Sequence, residues 1–382
     1  MMLKIIFWVC FATIIYHYML FPIFIIITSS FIKKKESPPL QYTPVLSVIV
    51  AAYNEEAVIR DKVINCLEFD YPKDKFELIV VCDGSTDKTF EIVKDFFHMS
   101  VVALHDVNRL GKSMALNRAV SHASGDIILF TDANTIIDSH GPKTLVARFS
   151  DESVGGVSGK KEITLDKKRM IISKGDKAYW NFESLLKYHE GRLGSIPTGD
   201  GEIFAIRRIL YKPLDQRIVN DDLAITLEIV KQGFRVVYEP TVKSFERSSV
   251  NLKDDYNVKA RMVFGSWQIF KYYGGFLRPF SSFFAFQFFS HKVLRYLMWL
   301  LLLGILISSG LIRQKSYRIF VALQFGFYCL GFCGLFLRNK KEIPALLYYP
   351  MYYSMVNLAS LHGLIHFINN RSINEIWKKA ER

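Results

Sequence analysis

The chain is poor in the residues that announce metal clusters, redox pairs and triads. Its five cysteines (Cys10, Cys66, Cys82, Cys329 and Cys333) form no CxxC pair and no metal-ligand spacing. Cys10, Cys329 and Cys333 sit in apolar stretches, so buried, reduced thiols are expected. Histidine is sparse, which argues against a zinc site, and none pairs with a nucleophilic Ser or Cys in a readable triad. The phosphate-cradling loop Gly-x-x-x-x-Gly-Lys-Ser/Thr is absent. No internal repeat and no low-complexity tract interrupts the chain.

Charge is missing from four long stretches. No Asp, Glu, Lys or Arg occurs between Lys4 and Lys33, or in Tyr296–Ile312, Ile319–Leu337 and Pro344–Ile368. A membrane span needs roughly 20 apolar residues, so the first, third and fourth stretches qualify and the second lies at the short limit. The N-terminal run is too long for a signal-peptide core and no small-residue cleavage site follows it. A retained anchor is therefore expected.

The formal net charge of +13 would suggest nucleic acid in a soluble protein. Here much of the excess flanks apolar stretches, at Lys33–Lys35, Lys340-Lys341 and Lys378-Lys379. Basic residues beside a span are drawn to anionic lipid and hold loops on the cytoplasmic side. Membrane lipid is thus the expected partner, and nucleic acid is not, since no RNA-binding aromatic motif or helix-turn-helix pattern is present. Lys33–Lys35 place the soluble region in the cytoplasm of an inner-membrane protein. The loop Arg313–Arg318 is basic as well, which leaves the order of the later spans open.

The expected organisation is a membrane helix over 1–32, a linker with Pro38 and Pro39, and a soluble α/β domain over 44–250. Interfacial helices over 251–290, basic and aromatic together, would follow. Further spans over 291–370 and a polar tail over 371–382 complete the chain.

Three acidic signatures in the soluble domain each end an apolar, partly β-branched run. LSVIVAA ends in Tyr53-Asn54-Glu55-Glu56, FELIVVCD ends in Asp83 ahead of Gly84, and GDIILFT ends in Asp132-Ala133-Asn134. Such runs read as strands buried on both faces of a parallel sheet, whose ligands bind beyond the carboxyl ends. Asp83 can accept from a base N–H, with Gly84 admitting the ligand, or can cap the helix that follows. Asp132 and Asn134, two apart on an extended chain, would face one hard divalent cation with their oxygens. Lys112, after Gly111 at a helical start, can reach phosphate or lie solvated on the surface. Asp221-Asp222 would raise one another's pKa, which suits a general base, or would open the helix Leu223–Gln232 as its acidic first turn. In Lys259-Ala-Arg261-Met-Val-Phe-Gly-Ser-Trp267-Gln268, a cation could meet a leaving diphosphate and Trp267 could stack on a sugar. The same run also suits an interfacial helix.

Seven runs in order carry a resemblance. SVIVAAYNEE, LIVVCDGSTDKT, NRLGKSMALN, GDIILFTDANT, TGDGEIFAIRR, NDDLAITLEIVKQGFRVVYEP and KARMVFGSWQ together resemble the family 2 glycosyltransferases of GT-A fold, over about Pro44–Gln268. The resemblance implies a mixed, mostly parallel Rossmann-like sheet and α-helical transmembrane segments. It implies an inverting transfer from a nucleotide-sugar donor, usually of UDP, with Mg²⁺ or Mn²⁺. By position, Ala52, Tyr53, Asn54, Glu55, Asp83, Lys112 and Asp132 would bind the nucleotide, and Asp132 with Asn134 the metal. Asp222, with Asp221 before it, would be the base. Gly199, Asp200, Arg261, Trp267 and Gln268 would meet the acceptor or diphosphate.

The Gln-x-x-Arg-Trp of cellulose- and hyaluronan-type synthases is replaced here by the run ending in Trp267-Gln268. That favours transfer to a lipid-linked or polysaccharide acceptor in envelope or exopolysaccharide assembly over processive synthesis with translocation. Oligomerisation or accessory export subunits would be needed to widen a channel of three tail spans. A sugar-nucleotide pyrophosphorylase would need neither the spans nor Asp221-Asp222. An inactive scaffold would have no need of Asp83, Asp132 and Asp222.

Overall fold

A computed structural model describes residues 1–33, 40–164, 170–247, 251–337 and 343–371. The expected prolines of the linker, Lys340-Lys341 and the polar tail beyond 371 lie outside these residues. The chain divides into two units, one of Ser29–Thr164 and Trp180–Arg247, the other of Met1–Thr28, Leu165–Tyr179 and Ser248–Arg382.

The first unit is built on one eight-stranded sheet. Its strands are β1 (Leu46–Ala52), β2 (Phe76–Asp83), β3 (Val101–Asp106), β4 (Ile127–Asp132), β5 (Ile136–Ile137), β6 (Val154–Thr164), β7 (Phe204–Arg207) and β8 (Arg235–Arg247). Their order is β3-β2-β1-β4-β7-β6-β8-β5. The first four run parallel, β7 is antiparallel to both β4 and β6, and β6 and β8 pair in parallel. The three strands expected from the apolar runs are β1, β2 and β4. Strand β3 carries no long apolar run, because VVALHD is half exposed. Leu46, Val48, Val50, Leu78, Val80, Ile127 and Leu129 are fully or almost fully buried in the core, as parallel strands covered on both faces require.

Register places the site. Ala52 of β1 stands beside Cys82 of β2, and Ala51 beside Asp132 of β4, so Tyr53, Asp83 and Asp132 emerge at one edge. Loops on that edge are tied together. Asn54, in the left-handed region at φ 53°, accepts from Thr86 N at 2.8 Å through its side-chain oxygen. Glu55 N donates to Thr89 Oγ1 at 2.8 Å, and Glu56 N to Asp87 Oδ2 at 3.1 Å. Below Asp132, the buried Lys62 ammonium of helix Ile59–Leu67 donates to Thr131 Oγ1 (2.7 Å) and the Thr135 carbonyl (2.8 Å).

The second unit is helical. Met2–Ser30 runs on as a helix of 29 residues, and Lys315–Phe336 as one of 22; both are long and apolar enough to cross a membrane. The helices Phe283–Tyr296 and Met298–Leu311 meet at a 61° bend and would add a third span if they act as one. The expected span over Pro344–Ile368 forms a 24-residue helix, Ala345–Ile368, but it is not among these candidates. It carries no Asp, Glu, Lys or Arg, but Ser354, Asn357, Ser360, His362 and His366 lie along it. The last two lie four apart with ring centroids at 4.0 Å, and no third ligand joins them among the described residues. Phe7 packs edge-on against Tyr317 and Phe320, each at 4.9 Å.

Gly84 decides how closely the loops of the sheet edge approach. Its φ is +68°, and a Cβ there would lie 2.5 Å from Arg109 N and 2.7 Å from Arg109 Cα. Both faults act on backbone, so Gly84→Ala should lower stability by about 2 kcal/mol or more. Urea unfolding of the two proteins measures this, and unchanged stability would show that the two loops do not meet as described.

Candidate active site

Asp83 builds the first wall. Its two carboxylate oxygens accept from Leu110 N (2.9 Å) and Gly111 N (2.7 Å). The buried side chain therefore anchors the turn that launches helix Lys112–His122, with Gly111 at φ 94° as the residue before it. The capping alternative falls to Asp87, whose Oδ1 accepts from Thr89 N at 3.0 Å at the start of helix Thr89–Lys94. Gly84 admits the backbone of Arg109 at close range. The Arg109 guanidinium then lies 4.1 Å over the ring of Tyr53, a contact typical of cation–π pairs.

Asp132 ends β4, and the chain turns at once. Thr135 donates through its hydroxyl to the Asp132 carbonyl at 3.0 Å. The expectation that Asp132 and Asn134 face one ion as alternate residues of an extended strand is thereby corrected, because residues 133–134 lie in a turn. The Asn134 amide nitrogen donates instead to Glu246 Oε1 at 3.1 Å.

The Asp132 carboxylate turns to Lys112. Lys112 Nζ stands 2.9 Å from Asp132 Oδ1 and 3.3 Å from Asp221 Oδ2. Asp221 opens helix Asp221–Lys231, and Asp222 follows with Oδ1 accepting from Leu223 N at 2.7 Å. The pair does occupy the acidic first turn that the sequence suggested. A Cβ placed on Gly201 would lie 3.7 Å from Lys112 Nζ, 3.5 Å from Asp222 Cβ and 3.8 Å from Asp221 Oδ2. Gly201 thus marks the centre of a cluster of carboxylates and one ammonium.

Burial and the neighbouring Asp221 push the Asp222 carboxyl up to about 7, against the pull of Lys112. The like-charge effect expected of the pair is present, but burial is the larger cause. Burial also raises Asp221, with Lys112 opposing. For Lys112, burial acts downward, but Asp132 and Asp221 outweigh it and hold the ammonium above its ordinary range.

The loop Thr198–Gly201 is tied to the same helix. Gly199 N donates to Thr226 Oγ1 (2.9 Å), which donates to the Asp222 carbonyl (2.7 Å). The Asp200 carboxylate faces inward to the buried Lys187 ammonium at 2.5 Å, and its backbone N–H donates to Ser158 Oγ at 2.9 Å. Lys161 pairs with Glu202 at 2.7 Å and with Glu246, over the ring of Trp180 at 4.8 Å. Sequence reading passed over Lys62, Arg109, Lys161 and Lys187. Only Arg109 had a signal, as part of NRLGKS; the others are single lysines in segments that read as ordinary secondary structure.

Arg261, Trp267 and Gln268 belong to the helical unit, on helix Leu252–Tyr272. There the Trp267 ring packs on Phe270 (5.3 Å) and Phe367 (6.5 Å).

Among the described residues, no three His, Cys, Asp or Glu side chains converge as a ready metal site. Asp132 and Asp221 do converge on a single cationic group. A hard cation such as Mg²⁺ commonly takes one or two carboxylates and completes its shell with waters and phosphate oxygens. The donor set fits an ion that arrives with a diphosphate.

Comparison with known proteins supplies the family. The family described as Glycosyltransferase like family 2 matches residues 44–266. The protein named Probable glycosyltransferase YdaM of Bacillus subtilis (strain 168) is 28% identical over 232 residues, 58% of this chain and 55% of that protein. Poly-beta-1,6-N-acetyl-D-glucosamine synthase of Staphylococcus epidermidis is 29% identical over 203 residues, 51% of this chain and 48% of that protein. The chain thus spans about half the length of the curated relatives it matches. A mannosyltransferase from Pyrobaculum calidifontis, solved in complex with GDP-Man and Mn²⁺, shares the fold at TM-score 0.73 and 20% identity, covering 96% of this chain and all of that one. With the match covering more than half of its residues, the chain belongs to glycosyltransferase family 2 and has the GT-A fold.

Proposed function

We propose that this glycosyltransferase moves a sugar, with inversion, from a nucleotide-sugar donor, a UDP-sugar by preference, to a lipid-linked or polysaccharide acceptor in envelope or exopolysaccharide assembly. The observation that carries the reading is the convergence of Asp132, Asp221 and Asp222 with Lys112 around Gly201, beyond the carboxyl ends of the parallel strands. Ligands of such sheets bind there.

In this reading Asp222 takes the proton of the acceptor hydroxyl, and its raised pKa makes it a competent base near neutral pH. The oxygen then attacks the anomeric carbon from the face opposite the diphosphate, and the anomeric configuration inverts. Asp132, with Asp221 beside it, would hold a divalent cation, whose chemistry is to neutralise the charge gathering on the departing diphosphate. Asp83 keeps the Leu110–Lys112 turn in place, so that Lys112 meets the same diphosphate. Tyr53 and Arg109 offer a flat cationic platform to a base, beside Ala52, Asn54 and Glu55. Arg261, Trp267 and Gln268 are carried as candidates for the acceptor or the diphosphate by their motif position alone. The helices that are apolar enough to cross a membrane suit an acceptor held there, with the sheet unit in the cytoplasm. A second reading, repeated addition to a growing polymer, is favoured by the relatives named poly-beta-1,6-N-acetyl-D-glucosamine synthase.

Nucleotide release by the full chain in detergent, with Mn²⁺ and a panel of donors, tests the assignment. Asp222→Asn should lower kcat by roughly 10²–10⁴-fold with little change in donor KM. Asp132→Ala should lower activity and raise the Mn²⁺ needed for half-maximal rate. An Asp222→Asn enzyme retaining more than about a tenth of wild-type kcat would remove that residue as the base.

The same carboxyl sets a pH dependence of stability. Its native pKa lies above the unfolded value of about 3.9, so the stability it contributes is present below that value and is lost as pH rises toward 7. Asp222→Asn abolishes this slope. The variant should match wild type near pH 4 and exceed it at pH 8 by on the order of 1–3 kcal/mol in urea unfolding. Parallel curves at both pH values would show that Asp222 does not titrate in this window.

A further inference from the structure

Lys112 does more here than wait for phosphate. Its ammonium bridges Asp132 at 2.9 Å and Asp221 at 3.3 Å, the two carboxylates to which the cation was assigned above. We propose that Lys112 is a resident stand-in for the divalent cation, holding its position between Asp132 and Asp221 until a nucleoside diphosphate draws the ammonium away. Metal binding is thereby made conditional on nucleotide. The inference rests on the metal-dependent reading above and adds an order of events to it.

Three features support an exchange rather than a permanent ion pair. The two carboxylates come from separate elements, the end of β4 and the start of helix Asp221–Lys231, and Lys112 is the group that joins them. Without a cation they would repel each other, with Asp222 adjoining. The Lys112 side chain is 40% exposed, so the ion pair is not sealed in the core. A lysine is a point charge on a flexible four-carbon stem, which can move between two anionic partners while its backbone stays fixed. The backbone is indeed fixed here, by the Asp83 carboxylate on Leu110 N and Gly111 N.

Charge then dictates the order. A divalent ion arriving alone must displace an ammonium that keeps two carboxylate partners and would be left with none. When a diphosphate is present, the ammonium gains a new anionic partner and the ion gains phosphate oxygens. Binding of each is strengthened by the other, and the coupling must be reciprocal.

The test is Mn²⁺ binding, read from the EPR signal of free Mn²⁺ with the full-length protein in detergent, with and without saturating UDP or GDP. Wild type should bind Mn²⁺ at least tenfold more tightly with nucleotide. Lys112→Met should bind it without nucleotide at least tenfold more tightly than wild type does, and its nucleotide dependence should shrink accordingly. Asp132→Ala should lose binding in every state. If wild type binds Mn²⁺ equally well with and without nucleotide, the stand-in role is overturned, whatever the folding of the variant. It is equally overturned if folded Lys112→Met gains no affinity, while the metal reading survives. Absence of Mn²⁺ binding by wild type even with both nucleotides would remove the metal reading and this inference with it.

Discussion

The carboxyl edge of the sheet depends on one electrostatic arrangement: several carboxylates held close together, half out of water, with the Lys112 ammonium between Asp132 and Asp221. Like charges so placed repel, and burial penalises each of them further. The protein can keep them there because none is held by its charge. Asp132 is fixed by β4 register against β1, Asp221 and Asp222 by the first turn of a helix, and Lys112 by a turn that Asp83 fastens. Backbone geometry bears the strain, and Lys112 offsets part of it. The raised Asp222 carboxyl is the residue of that field which remains uncompensated. A carboxyl raised toward neutrality is therefore a consequence of burial and crowding together.

Much of this was legible from the chain. Runs such as LSVIVAA and GDIILFT name their strands because parallel strands are apolar on both faces, and a polar cluster at the end of each run can only lie at the carboxyl edge. Asp83 and Asp132 were found for that reason, and Asp221-Asp222 because two adjacent carboxylates stand at a helix start. Asn134 does not continue the strand, because the chain turns after Asp132 and its amide nitrogen donates to Glu246. The backbone that Gly84 admits belongs to Arg109, a residue distant in sequence. Strand β3 escaped because an edge strand with one open face has no continuous apolar run. The stretch Pro344–Ile368 was read from its lack of charge, and it does form a 24-residue helix, Ala345–Ile368.

Interior lysines could not have been found at all. Lys62, Lys161 and Lys187 look like surface residues, since lysine is rarely buried and nothing local marks an exception. Their partners come from other segments: Thr131 and Thr135 for Lys62, Glu202 and Glu246 for Lys161, Asp200 for Lys187. A buried charge survives only when paired or hydrogen-bonded, and only the fold supplies these pairings.

These lysines also divide the sheet by function. Beside β6 and β8, the polar groups are closed on one another, with Lys161, Glu202, Glu246 and Asn134 in one network and Lys187 with Asp200 in another. Each group that enters such a network loses freedom to meet a ligand, because replacing a buried partner leaves that partner uncompensated. Asp200 is held in this way by Lys187, and the Asn134 amide nitrogen by Glu246. At the ends of β1, β2 and β4 the arrangement differs. Lys112 is partly exposed on a flexible four-carbon stem, and Asp132 has one of its oxygens on that ammonium. A network of fixed pairs gives rigidity, and a single exchangeable pair gives a place to bind. In this unit the Lys112–Asp132 pair lies at the carboxyl edge of the parallel strands, the edge at which ligands of such sheets bind.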